Sequence, residues 1–162
     1  MTMKKKLMTL AVLYNTENVL LAMKKRGFGA GRWNGYGGKV QEGESVKEAM
    51  SRELTEEAGI PAPVLTEAGL ITFVFPEKKE ELAVHLFRSA DFHGQAVETE
   101  EMRPQWFARD QIPFAAMWPD DPIWMPLFLA GKDIAATFWF KDENTIMRYE
   151  LRDGGRATGE IV

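Results

Sequence analysis

Cysteine is absent from the 162-residue sequence, which excludes disulfides, thiolate nucleophiles and cysteine-based zinc centres. That absence suits a reducing compartment, and a cytoplasmic location is expected. Histidine is scarce, with only His85 and His93. His85 sits in the strand-like stretch LAVHLF and His93 in a loop, so neither is assigned a catalytic role. No apolar run approaches the roughly 20 residues that a membrane helix needs, so no membrane partner is expected. The amino terminus superficially resembles a signal peptide, with Lys4 to Lys6 ahead of an apolar stretch. Leu7 to Leu13 is short for that purpose, lacks a following cleavage site, and reads as a buried strand. An excess of basic residues is missing too: 20 Lys and Arg face 24 Asp and Glu, a net charge of −4. Direct nucleic-acid binding needs a basic face and is not expected. A phosphate-bearing ligand remains compatible with an acidic chain if metal ions supply the positive charge.

Neither a repeat, a low-complexity tract nor a linker divides the chain. The expected organisation is one domain over residues 1–152, followed by a polar, glycine-rich tail over 153–162 that frays. A monomer is expected. Strands are predicted at Leu7–Tyr14, Val19–Lys24, Gly69–Phe75, Leu82–Ser89, Gln105–Arg109, Ala135–Phe140 and Thr145–Leu151. TFVF and TFWF carry the aromatic and β-branched residues that suit a pleated sheet. The turn signals NTEN and KDEN make hairpins of the first and last strand pairs. A helix is predicted over Ser45–Ala58, opened by the capping-box pattern Ser45-Val46-Lys47-Glu48 and closed by Gly59. A second opens at Asp121-Pro122, with Asp121 as N-cap, and carries Ile123, Trp124, Leu127 and Phe128 toward the core. Many strands with two helices indicate an α+β class.

The first helix carries an unusual load. Glu53, Glu56 and Glu57 fall at i, i+3 and i+4 and therefore share a face. Val46, Met50 and Leu54 form the adjacent apolar stripe that docks the helix. Like charges at this spacing repel, and two of them lie in the last turn, where the helix dipole disfavours anions. By composition alone the run is a solvated Glu/Lys face. The spacing, and the glycines that precede the helix, favour a site for hard divalent cations such as Mg2+ or Mn2+ with phosphates completing the shell.

Residues 37–60, GGKVQEGESVKEAMSRELTEEAGI, resemble the signature of the Nudix hydrolases. The matching positions are Gly38, Glu44, Arg52, Glu53, Leu54, Glu56, Glu57, Gly59 and Ile60, with every gap preserved. The resemblance implies a Nudix-type α/β/α sandwich with a mixed β-sheet. It also implies hydrolysis of a nucleoside diphosphate linked to another group, with metal-bound water as nucleophile. Glu53, Glu56 and Glu57 would hold Mg2+ (Mn2+ being an alternative), with the Gly37 carbonyl as a further ligand. Glu53 or a distant glutamate would act as base, and Arg52 would orient a carboxylate by charge-assisted hydrogen bonds. Glu44 and Glu56 complete the implied catalytic set.

Similarity extends over residues 7–150. MKKRGFGAGRWNGYGGKVQEGE, EMRPQWF, DQIPF and MWPDD look like the MutT-homologue branch of that family, which acts on oxidised purine nucleoside triphosphates such as 8-oxo-dGTP and 2-hydroxy-dATP and releases pyrophosphate. Matching its base-pocket residues are Asn34, Trp118, Asp120 and Asp121, with Thr9, Phe28, Phe73 and Phe75 as lining. Lys24 matches a residue on the sugar and phosphate side, and Glu101 an additional acidic residue at the metal centre. Trp118 offers a ring for a purine to stack on, and Asn34 supplies both a donor and an acceptor. Two adjacent carboxyls among Trp118, Pro119, Ile123 and Trp124 can share a proton and read different oxidised bases. Two departures bear on the substrate. The segment Glu77–Leu82 differs, with Leu82 where the family has a methionine that touches the base, and 152–162 has no counterpart. Nudix enzymes for methylated purine nucleotides or nucleoside diphosphate conjugates, and a non-catalytic nucleotide-binding module, are the alternatives. The intact glutamate cluster weighs against the last.

Overall fold

The computed structural model describes residues 2–60, 64–153 and 156–157. Nine strands and two helices alternate as β1 (Lys4–Tyr14), β2 (Asn18–Lys24), β3 (Trp33–Asn34), α1 (Val46–Ala58), β4 (Thr66–Phe75), β5 (Glu80–Ser89), β6 (Met102–Ala108), α2 (Asp121–Leu129), β7 (Ile134–Asp142), β8 (Thr145–Asp153) and β9 (Arg156–Ala157). They form one sheet in the order β3-β2-β1-β5-β4-β7-β8-β9, with β6 on the other edge of β2. The pairs β1–β5 and β4–β7 are parallel and the others antiparallel, so the sheet is mixed as expected.

The central strands are buried on both faces, which is why their apolar runs are continuous. Along β1, Ala11 and Leu13 belong to the core under α1, while Val12 and Tyr14 belong to the core under α2. Along β2 the same alternation sends Leu20 and Ala22 one way and Val19 and Leu21 the other. On one face Met50, Leu54 and Ala58 of α1 pack on Tyr36 and Phe87. On the other, Trp124, Met125 and Phe128 of α2 pack on a group that includes Phe138 and Phe140. The signal-like amino terminus is strand β1, paired along its length with β5.

The ends of α1 form as its sequence dictates. Ser45 Oγ accepts from Glu48 N at 3.0 Å, and Glu48 Oε1 accepts from Ser45 N at 2.9 Å. Gly59 takes the left-handed conformation (φ 65°) that closes the helix. The amino terminus of α2 departs from expectation. Its N-cap is Asp120 rather than Asp121, and Asp120 makes no side-chain capping bond. Asp121 is the first helical residue, and both carboxyls are buried instead of turned back on the helix end. The two-residue strands β3 and β9 lie outside the predicted set because they are too short for alternation to register. β6 ends at Ala108, with Arg109 in a following 3-10 turn. The expected tail is described only through Asp153 and the short strand β9; its other residues lie outside the described set.

Candidate active site

The glycine segment ahead of α1 runs beside β1, with Tyr36 bridged to Ala11 and Lys39 to Met8. This close approach excludes side chains. A Cβ at Gly37 would strike the Thr9 carbonyl oxygen, and one at Gly38 would strike the Glu53 carboxylate. Thr9 ties the segment down: its N–H reaches the Gly38 carbonyl at 2.8 Å, and its hydroxyl lies 3.3 Å from the same oxygen. That hydroxyl therefore anchors the glycine turn, although Thr9 also lines the cavity described below.

Glu53, Glu56 and Glu57 share one side of α1 but differ sharply in exposure. The Glu56 side chain is 58% exposed and that of Glu53 13%, while Glu57 as a residue is 4% exposed. Arg52 organises the outer part. Its Nε and Nη2 clasp the two oxygens of Glu44 at 2.7 and 3.0 Å, and its Nη1 donates to Glu53 at 3.1 Å and Glu56 at 3.2 Å. Gln41 N also donates to Glu44, whose carboxyl is held below its ordinary range chiefly by Arg52. Glu44 is thus committed as an anion to fixing the arginine, a pairing the sequence did not specify.

Glu57 has no such partner. Its Oε1 accepts the Gly37 N–H at 3.0 Å, and burial followed by the charge of Glu53 pushes its pKa up to about 7, against the opposing pull of that bond and of Lys24. Burial raises Glu53 as well, and Arg52 opposes it. A half-buried and a buried carboxylate side by side are costly unless a cation joins them. All the donors are hard oxygens, so the residues present fit a hard divalent cation. Among the described residues no three acidic or imidazole side chains stand together in an ion-gripping cluster. Glu53 and Glu56 are turned to Arg52, and Glu57 to the Gly37 amide. Glu101 stands apart: its side chain lies 3.5 Å from Arg26 and its charge is only felt by Glu53 and Glu57.

A cavity of about 240 Å³ is lined by residues of the glycine segment, β1, the end of α1 and the start of α2. Gly37, Gly38, Glu57 and Lys24 form one end of its lining, and Asp120, Asp121, Trp124 and Met125 another part. Asn34, Trp118, Thr9, Phe28, Phe73, Phe75 and Leu82 all lie along it, so every residue expected to contact substrate faces one space. Asn34 Nδ2 donates to the Arg32 carbonyl at 2.9 Å, which fixes the orientation of its amide. Phe28 is 48% exposed and meets Trp118 at 5.1 Å and Phe75 at 6.4 Å between ring centroids.

Both aspartates are buried, at 1% and 6% exposure. Trp124 Nε1 donates to Asp120 Oδ2 at 2.8 Å, whereas Asp120 Oδ1 receives no donor from a fixed N–H or O–H group. Two adjacent carboxyls so deeply buried disfavour a double negative charge. Burial raises both; Asp120 rises to about 6, and Asp121 goes further because the Asp120 charge adds to its burial. Both carboxyls are thus held above the usual carboxylate range, chiefly by burial.

Arg32 was not singled out by the sequence. Its guanidinium lies 4.2 Å from the Trp118 ring centroid and is held by the Glu143 carbonyl and Asn144 Oδ1 in the β7–β8 turn. It backs the stacking platform and lowers the Asp120 pKa. Met8, Leu10, Val84 and Met102 also line the cavity and were not singled out by the sequence. Local pattern does not distinguish an apolar wall from an apolar core.

The profile of the NUDIX domain matches residues 4–128. The chain is 51% identical over 148 residues to the oxidized purine nucleoside triphosphate hydrolase of Mus musculus, covering 91% of this chain and 95% of that protein. It is 47% identical over 146 residues to the protein of the same name from Danio rerio, covering 90% and 94%. Among solved structures, the mutator MutT protein from Bacillus halodurans superimposes with a TM-score of 0.76 at 25% identity, covering 90% of this chain and 97% of that one.

Proposed function

The chain belongs to the Nudix family of hydrolases, and on that premise we propose that its substrates are oxidised purine nucleoside triphosphates, cleaved with Mg2+ to the monophosphate and pyrophosphate. Mn2+ is the alternative ion. One observation carries the reading: a single cavity joins a buried pair of carboxyls, suited to a base edge, to a buried carboxylate beside a glycine turn, suited to a phosphate-bound cation. Two vertebrate relatives of nearly full-length similarity carry names for this activity.

Each residue has a task in this reading. The purine stacks on Trp118, with Phe28, Phe73, Phe75 and Leu82 enclosing it. Asp121 donates its proton to an oxygen or nitrogen that accepts, Asp120 accepts from an N–H, and Asn34 supplies a further polar edge. Lys24 faces the phosphates. Glu53, Glu56 and Glu57, with the Gly37 carbonyl, would hold Mg2+, which supplies charge neutralisation and activates water near neutral pH. Glu53, whose affinity for protons is raised by burial, takes the proton from the attacking water. Arg52, braced by Glu44, holds Glu53 and Glu56 in place. Glu101 serves as an outer acidic residue of the same centre. No helix among the described residues is long and apolar enough to cross a membrane, and the proposed protein acts as a monomer on free nucleotides in the cytoplasm.

The test is a hydrolysis panel of 8-oxo-dGTP, 2-hydroxy-dATP, O6-methyl-dGTP, dGTP and ADP-ribose, each with and without Mg2+. The oxidised purines should lead, only with the metal. Equal rates for dGTP and 8-oxo-dGTP would remove the sanitising role. Metal-independent turnover would overturn the site.

A further inference from the structure

The helix that presents the carboxyl pair is weakly supported by its own sequence. α2 has nine residues, no side-chain N-cap, Pro126 in its interior and no basic residue in its last turn. A helix so short is marginal without tertiary support, and its carboxyl-terminal carbonyls need donors. Backbone N–H groups of Ala130, Gly131 and Lys132 serve Pro126, Leu127 and Phe128, and two arginines from distant parts of the chain add donors to Phe128 and Leu129.

Arg88, at the end of β5, is 9% exposed. Its Nη2 donates to the Phe128 carbonyl at 3.1 Å and to the Lys132 carbonyl at 2.6 Å, and its Nη1 pairs with Asp133 at 2.9 Å. Arg109, just past β6, donates from Nη1 to the Leu129 carbonyl at 3.0 Å and clasps the Asn15 carbonyl through Nε and Nη2 at 3.1 and 2.8 Å. Tyr14 stands between them. Its hydroxyl accepts from Arg88 Nε at 3.2 Å, and its ring lies 5.2 Å from the Arg109 guanidinium. Arg88 also lies over the Phe128 ring at 4.5 Å. The ends of three strands thus grip the carboxyl end of α2 with two cations, where the helix dipole favours positive charge.

We infer that Arg88 and Arg109 are positioning residues for base recognition. They clamp the carboxyl end of α2 so that its amino end holds Asp120 and Asp121 in the cavity. Nine residues at a rise of ~1.5 Å put the clamp roughly 13 Å from the pair, too far for either arginine to touch a base there. The glutamates lie on α1, across the sheet, and are not held by this clamp. Loosening the clamp therefore degrades base selection and spares the cleavage step. The inference rests on the proposed substrate reading, and the experiment separates the two.

Arg88→Met, Arg109→Met and Arg88→Lys are compared with the wild-type enzyme on 8-oxo-dGTP and dGTP with Mg2+. Affinity for 8-oxo-dGMP is measured by calorimetry without metal. In the methionine variants the ratio of kcat/KM for the oxidised over the ordinary nucleotide should fall about tenfold, through KM, with kcat within about twofold. Affinity for 8-oxo-dGMP should fall in parallel. Arg88→Lys keeps the cation but reaches fewer carbonyls, and should lie between. An unchanged ratio and unchanged 8-oxo-dGMP affinity, with only a lower Tm, would overturn the inference in favour of a purely stabilising clamp. An equal loss of kcat on both nucleotides would overturn it as well. If Arg88→Met does not fold, Arg109→Met and Arg88→Lys decide. If the wild type prefers another nucleotide of the panel, the substrate reading falls, and the same KM and kcat split is measured on that nucleotide.

Discussion

The two helices that face the cavity are built on opposite principles. α1 carries its instructions locally: a capping box at one end, a left-handed glycine at the other and an apolar stripe between. α2 has Pro122 in its first turn and a left-handed Gly131 past its end, but no side-chain N-cap bond, and it is held in addition by Arg88, Arg109 and the aromatic core. Their acidic residues differ in the same way. On α1 the carboxylates are graded from exposed to buried and partly neutralised by Arg52. On α2 both are buried and held above the usual carboxylate range. In the proposed function, charge on α1 would serve a cation, while on α2 burial suppresses it so that a carboxyl would donate.

The contrast is broken most severely at Glu57. Glu57→Gln removes the buried anion and should lower turnover on the order of a hundredfold or more, the scale seen when a metal site loses a group. The fold should persist. The folded pKa of Glu57 is raised to about 7, so its contribution to stability is complete below the usual carboxylate range and is lost as pH rises through about 7. Without divalent cations, therefore, wild-type Tm should decline between about pH 5 and pH 8 in part through this group, and Glu57→Gln should flatten the decline. Thermal melts across that range, with and without Mg2+, check this. Near wild-type turnover in Glu57→Gln would sink the metal assignment.

A smaller effect is expected at Asp120→Asn. The substitution leaves an oxygen for Trp124 but places an amide donor where the pair needs an acceptor. Affinity for the preferred base should drop roughly tenfold, the order expected for one mismatched buried hydrogen bond. The balance between 8-oxo-dGTP and 2-hydroxy-dATP, and its dependence on pH near 6, should change while kcat on the residual substrate holds. Steady-state kinetics on both nucleotides from about pH 5 to pH 8 measures it. Identical selectivity and pH profile would end the proton-sharing account.

Ser45→Ala should have the least effect. Loss of the cap costs about 1 kcal/mol, or about 2–4 °C in Tm for a domain of this size. Turnover should be unchanged, because the cap lies at the opposite end of α1 from Glu57. A matching loss of activity would show that α1 depends on its cap for the geometry of the site, and would erase the distinction drawn between the two helices.

Much of the chemistry was legible before any coordinates. The spacing of Glu53, Glu56 and Glu57 follows from helical periodicity, and the Ser45–Glu48 box and Gly59 act within a single turn. Neighbours in sequence are neighbours in space there, so the pattern carries the geometry. The β1 to β2 alternation was likewise readable as strands, but not the division of their side chains between two cores. That requires both helices to be in place. The N-cap of α2 was misread for the same reason: local preference favours Asp121 as a cap, and burial beside Trp124 and Asp120 overrode it.

Sequence by itself determined the Nudix signature, the mixed α+β character and the presence of a costly acidic helix face, because each is fixed by short-range spacing. Only the tertiary structure decided that Glu57 is the buried member of that face, that Arg52 is spoken for by Glu44, and that Asp120 and Asp121 are both buried beside the cavity. It also decided that Arg32 backs Trp118 and that Arg88 and Arg109 meet at one end of α2. Burial, and pairing between residues dozens of positions apart, exist only once the sheet has closed between its two helices.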